Sequence, residues 1–219
     1  MTGRIILFEN PNFVGPAYCF RDKVNNLADV SWSDRAQSLT VQGKHWVSYT
    51  DMEQEGEGLR GKGEFVVYGE GDHVLSDKMK ERIKFLRLVT EALDVRKIEL
   101  YQHTDYKGRK HIAQNDETDL KNSKFDNMAS SHKVTGGVWI LYDGPHFTGD
   151  CFIAFKGDDI QDYGKYKYND KVSSLQPLNS DDFILPKSAA ENCADPATEE
   201  LSRPNAGPSA PNSALPSTD

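Results

Sequence analysis

The sequence predicts an all-β protein of two β-sandwich domains followed by a disordered C-terminal tail, and three observations predict it. The first is a recurring aromatic hairpin signal. Phe8, Phe13 and Gly15 share their spacing with Tyr101, Tyr106 and Gly108 and with Tyr142, Phe147 and Gly149. A fourth copy keeps Tyr49 and Gly56 but has Gln54 at the second aromatic position. The second observation is rhythm: the four glycines lie 41, 52 and 41 residues apart (56−15, 108−56, 149−108). Short, long, short is the pattern of duplicated units taken in pairs and joined by a linker. The third is a change of composition after residue 185, where six of the ten prolines fall and aromatic residues stop. Such a segment buries too little apolar area to offset the entropy of ordering.

Within each repeat, four short strands are expected. In the first, they include Ile5 to Phe8, Ala17 to Phe20 and Ser38 to Val41. In the last, Val138 to Tyr142 is a β-branched and aromatic run, Asp143 to His146 a turn cluster, Cys151 to Phe155 a second strand and Val172 to Leu178 the closing strand. The stretch Ser76 to Leu88 is the best helical candidate, but it falls where a closing strand belongs and reads as a turn followed by a strand. A four-strand unit with one apolar face needs a second unit against it. The boundaries are therefore 1–90 for the first domain, 91–97 for the linker, 98–185 for the second domain and 186–219 for the tail.

The net charge of −8 disfavours nucleic acid or an anionic membrane as main partner. By Lys, Arg, Asp and Glu, residues 1–90 carry 12−13 = −1 and residues 91–185 carry 12−16 = −4. The second, acidic domain suits an inorganic cation better than a polyanion. Three cysteines are too few for a disulfide framework. Cys19 and Cys151 are expected to pack as small buried residues. No apolar run reaches transmembrane length and the first residues enter a strand directly, so a cytoplasmic location is expected, with unconventional secretion left open. The six histidines form no zinc spacing, and no nucleophile elbow, phosphate loop or dinucleotide fingerprint occurs. The chain is thus expected not to be an enzyme. The basic run Lys107 to His111 reads as a solvated hairpin face.

The aromatic-x4-aromatic-x-Gly signals, together with Ser38, Ser131 and Ser174 near the closing strands, resemble the βγ-crystallin superfamily over about residues 4–178. In repeat two the serine's place is read as Lys84. The resemblance implies paired Greek-key motifs in each domain, with hairpins that fold over on a glycine and stack their aromatics. The linker phrase Leu88 to Leu93, followed by Ile98 to Tyr101, is similar to non-lens members, the epidermis differentiation-specific proteins.

Repeats three and four also carry Asp126-Asn127-Met128-Ala129-Ser130-Ser131 and Asn169-Asp170-Lys171-Val172-Ser173-Ser174. Every polar side chain conserved between the two copies offers oxygen, which suits Ca²⁺. The resemblance implies a paired calcium clamp whose ligands are Asp126, Asn127, Ser131, Asn169, Asp170 and Ser174, completed by backbone carbonyls near Thr104 and Pro145. The alternative is that these residues make turns and pin hairpins without metal. Repeat one keeps Asp34 and Ser38 without the acidic pair and repeat two has lysine, so no tight site is expected in residues 1–90. One carboxylate per motif places affinity on the order of 10⁻⁵ to 10⁻⁴ M. The function expected is a non-enzymatic structural protein with about two calcium ions in the second domain, acting mainly as stabilisers. Two alternatives stay open: an interaction module, homo-oligomer or subunit of a larger, membrane-active assembly, and a lens-type structural crystallin without physiological calcium.

Overall fold

The β-branched and aromatic runs do form strands, and three of the four aromatic hairpins fold over on themselves. The computed structural model describes residues 3–22, 24–55 and 58–179. Gly56, Cys193 and the expected tail lie outside the described residues. The first domain holds β1 (Arg4–Phe8), β2 (Ala17–Phe20), β3 (Val24–Asn26) and β4 (Ser38–Gln42) from repeat one. Repeat two supplies β5 (Trp46–Glu55), β6 (Gly58–Tyr68), β7 (Gly71–Val74) and β8 (Phe85–Leu88). The second domain holds β9 (Lys97–His103), β10 (Lys107–Ala113), β11 (Ser131–Gly136), β12 (Val138–Gly144), β13 (Thr148–Phe155) and β14 (Ser174–Pro177). Among the described residues there is no α-helix, and no helix long and apolar enough to cross a membrane.

The repeats of a domain exchange their third strands. The sheets of domain one run β2-β1-β4-β7 and β3-β8-β5-β6, so β7 leaves repeat two for the sheet of repeat one and β3 does the reverse. Domain two has two three-stranded sheets, β10-β9-β11 and β13-β12-β14. There the expected third strands shrink to single bridges, Glu117 to Leu175 and His132 to Ile160. The physical reason lies in the segments themselves: Asn115 to Asp119 and Lys156 to Asp159 are polar turn formers with poor β propensity.

Each folded hairpin is pinned by one buried serine. Ser38 Oγ accepts the Phe13 N–H at 3.1 Å and donates to the Asn10 carbonyl at 2.8 Å. Ser131 does the same with Tyr106 N–H and the His103 carbonyl, at 3.2 and 2.7 Å. Ser174 does so with Phe147 N–H and the Gly144 carbonyl, at 3.0 and 2.6 Å. The aromatics meet as expected, with ring centres 6.1 Å apart for Phe8 and Phe13, 5.7 Å for Tyr101 and Tyr106 and 5.6 Å for Tyr142 and Phe147. Gly15, Gly108 and Gly149 take φ of 84°, 77° and 80°, a region where a side chain is strained.

Repeat two departs, and the structure corrects its alignment by one residue. Tyr49 pairs with Phe85, as Phe8 pairs with Ser38, Tyr101 with Ser131 and Tyr142 with Ser174. The serine's place is therefore held by Phe85 and not by Lys84. With no hydroxyl to pin a fold, the hairpin runs on as a straight ribbon in which Gln54 pairs with Leu59. The Tyr49 ring packs near Phe85, 5.8 Å between centres, and lies over Gly61, where a Cβ would come within 2.5 Å of it.

Three apolar clusters form among the described residues. One fills the sandwich of domain one around Leu7, Leu39 and Trp46, and one that of domain two around Leu100, Phe125 and Trp139. The third joins the domains, with Val47, Tyr49 and Phe85 packed against Ile140, Tyr142 and Phe155. Arg87 fastens this junction. Its guanidinium lies 3.5 Å from the centre of the Phe155 ring and binds both carboxylate oxygens of Asp158. One cysteine expectation fails: Cys19 is exposed, because β2 is an edge strand with only Phe20 buried. Cys151 is half-buried, and burial pushes its thiol up to about 12. The basic run is a hairpin face as expected, with Arg109 donating to the carbonyls of Ser123 and Lys124.

Arg87→Met keeps the aliphatic stem and leaves Asp158 without its partner, at a cost of about 1–3 kcal/mol. Calorimetry should then resolve two unfolding transitions in place of coupled ones. A second prediction concerns acid. The Tyr101 hydroxyl, 2.5 Å from Glu99, and the Lys97 ammonium, 2.9 Å away, hold the Glu99 carboxyl at about 2, against its burial. A lowered folded-state value stabilises the fold above the ordinary 4.5, and this contribution fades as pH falls from there towards 2. Glu99→Gln should melt lower than the parent at pH 7, and the gap should close as pH approaches 2.

Candidate metal centre

The second motif residue of each repeat sits in a left-handed turn just before the closing strand. Asn127 has φ 52° and Asp170 φ 53°, with Asp34 at 59° and Glu81 at 54° in domain one. Asn and Asp tolerate this region because their short polar side chains bond locally. The turn aims each side chain at the partner repeat. Asp170 Oδ1 lies 3.4 Å from Ser130 Oγ, and Asn127 Oδ1 lies 3.3 Å from Ser173 Oγ. Two cross-repeat pairs therefore face each other across domain two.

Of the residues expected as ligands, Asn127 and Asp170 come to these pairs. Asp126 has one buried oxygen, Oδ1, with no hydrogen-bond partner, while its Oδ2 accepts from the Asn127 amide at 3.2 Å. Asn169 donates to Asp170 Oδ2 at 2.7 Å and borders a cavity of about 490 Å³ together with Gln102, Thr104, Ser130 and Asp170. Pro145 lies in the β12–β13 turn, where its carbonyl accepts the Thr148 hydroxyl at 2.6 Å. Ser131 and Ser174 are fully buried and spend their hydroxyls on the hairpin pins described above. The serines that reach the pairs are the preceding ones, Ser130 and Ser173. Adjacent residues of a strand point to opposite sides, so one serine pins the hairpin and its neighbour faces the partner repeat. The sequence held the signal: Ser38 survives in a repeat without the acidic pair, which marks that position as structural.

The donors fit a hard divalent cation. They are carboxylate, amide, hydroxyl and carbonyl oxygens, one of them an orphaned buried carboxylate oxygen. Among the described residues no group of three or more His, Cys, Asp and Glu gathers, so a nitrogen or thiolate metal site is not built.

Domain one has the same turns with different occupants. Gln37 stands where Ser130 stands and donates its amide to Glu81 Oε1 at 2.6 Å. Lys84 stands where Ser173 stands, as its backbone bond to the Tyr49 carbonyl shows against the bond from Ser173 to Tyr142. Arg35 pairs with Glu9 at 3.2 Å. Protein N–H donors thus face the carboxylates that a cation would need.

Comparison with known proteins agrees with this architecture. The Beta/Gamma crystallin family model matches residues 4–79 and 97–178. The chain is 30% identical over 176 residues to the Epidermal differentiation-specific protein of Cynops pyrrhogaster, covering 80% of this chain and 50% of that protein, so it spans about half of that relative's length. It is 29% identical to Beta-crystallin B2 of Homo sapiens, covering 75% of this chain and 80% of that protein. Among solved structures, a beta gamma crystallin from Ciona intestinalis is 25% identical, covers 37% of this chain and 99% of its own, and has a TM-score of 0.36. With the two matched regions covering more than half of its length, the chain belongs to the beta/gamma crystallin family.

Proposed function

We propose that this chain is a non-enzymatic structural protein whose second domain takes up calcium weakly and is stabilised by it. The observation that carries the reading is the pair of cross-repeat contacts, Ser130 with Asp170 and Ser173 with Asn127, built from oxygen donors beside an unpartnered Asp126 oxygen. Few charged ligands keep affinity on the order of 10⁻⁵ to 10⁻⁴ M. The Asp170 site, with a carboxylate, should bind more tightly than the Asn127 site, with an amide. At about 100 times the Kd, bound calcium adds roughly 2.7 kcal/mol to stability. A second reading, a structural crystallin without calcium, is favoured by the similarity to Beta-crystallin B2 over 80% of that protein.

Isothermal titration of Ca²⁺ into the full chain decides between them. About two ions are expected, since domain one supplies N–H donors in place of ligands. Ser130→Ala and Ser173→Ala should each remove one ion. No heat, and no rise in melting temperature at millimolar calcium, would leave the second reading. Ser131→Ala has a different signature: it should keep both ions but cost about 1–3 kcal/mol in calcium-free buffer, because it orphans a backbone N–H and a carbonyl.

A further inference from the structure

A cavity of about 600 Å³ lies away from the calcium pairs, in the cleft between the domains. One wall is the β5–β6 pair, with Tyr49 and Phe65. The other is β13 and the turn that follows it, with Phe152, Tyr166 and Tyr168 only half-buried. The volume is typical of small-molecule sites, roughly 300–1,000 Å³. Phe152 meets Tyr168 edge to face with ring centres 4.8 Å apart, so this wall presents rings at right angles. Gly61, Gly63 and Gly149 also line the cleft, so backbone forms part of its wall.

The charges select the ligand. Lys165 and Lys167 line the cleft, are exposed, and pair with no carboxylate among the described residues. Two carboxylates also line it. They are Glu64, which pairs with Arg82 at 3.8 Å, and Asp150. With Glu64 set against Arg82, the two lysines face one remaining lining carboxylate, Asp150, beside an aromatic interior.

We propose that this interdomain cleft is a binding site for an amphipathic organic anion, with a flat apolar body against the rings and an anionic head at Lys165 and Lys167. The site requires both domains, so it exists only while the junction at Arg87 holds them together. It needs no calcium.

The test uses the full chain in buffer with a calcium chelator, so its failure and the failure of the calcium reading are separate. The probes are the anion 8-anilinonaphthalene-1-sulfonate and its uncharged counterpart N-phenyl-1-naphthylamine. One saturable site is expected, with the anion bound more tightly. Lys165→Gln with Lys167→Gln should weaken the anion about three- to tenfold, since exposed pairs contribute about 0.2–1 kcal/mol each. The same pair of changes should leave the neutral probe and the near-ultraviolet dichroism unaltered. The proposal is overturned by absence of a saturable site, by equal affinity for the two probes, or by an anion affinity that ignores the lysines. It is also overturned if Phe183→Ser in the full chain raises probe affinity, because the cleft would then belong to the chain's own acidic and apolar segment Asp181 to Leu185.

Discussion

One buried hydroxyl in each of three repeats holds this architecture. A folded aromatic hairpin turns its own backbone away from its sheet, leaving an N–H and a carbonyl inside the protein with no strand partner. Ser38, Ser131 and Ser174 satisfy both groups with a single oxygen. An unsatisfied buried polar group costs about 1–3 kcal/mol, so the fold-over and the serine stand or fall together. Repeat two shows the converse. Its serine is Phe85, its second aromatic is Gln54, and its hairpin is a straight ribbon. The two departures are one change: a ring at the pin position packs on Tyr49 and offers nothing to a folded turn.

The same scaffold supports two unlike domains. Left-handed turns at Glu81, Asn127 and Asp170 bring side chains to the partner repeat, and Asp34 has the same backbone turn. In domain two they meet small hydroxyls, which leaves oxygen donors facing one another. In domain one the residues opposite are longer and carry N–H, and Gln37 closes directly on Glu81. The difference rests on the motif side chains, above all on length and hydrogen-bond polarity where Ser130 and Ser173 stand. It requires no change in backbone.

Pairing the domains creates what neither has alone. Repeats two and four put aromatic and β-branched faces against each other, and Arg87 is captured between Phe155 and Asp158. The straight ribbon of repeat two lies beside β13, and the cleft opens where the two part. Loss of a folded hairpin in repeat two is therefore tied to the shape of the interdomain surface.

The sequence by itself determined the all-β class, the strand runs, the pairing of repeats and the three folded hairpins. Period, aromatic spacing and glycine position are local properties that one chain states openly. It also singled out Asn127 and Asp170, whose side chains meet serines of the partner repeat. It did not tell which serine of each pair faces the partner repeat, because Ser130 and Ser131 look alike until strand direction separates inward from cross-repeat, and it placed Lys84 one residue from the true alignment. The shrinking of two third strands to bridges, the exposure of Cys19 on an edge strand and the cleft were decided by tertiary structure alone. Each depends on which segment lies next to which, and burial and pairing between distant segments leave no mark in local residue spacing.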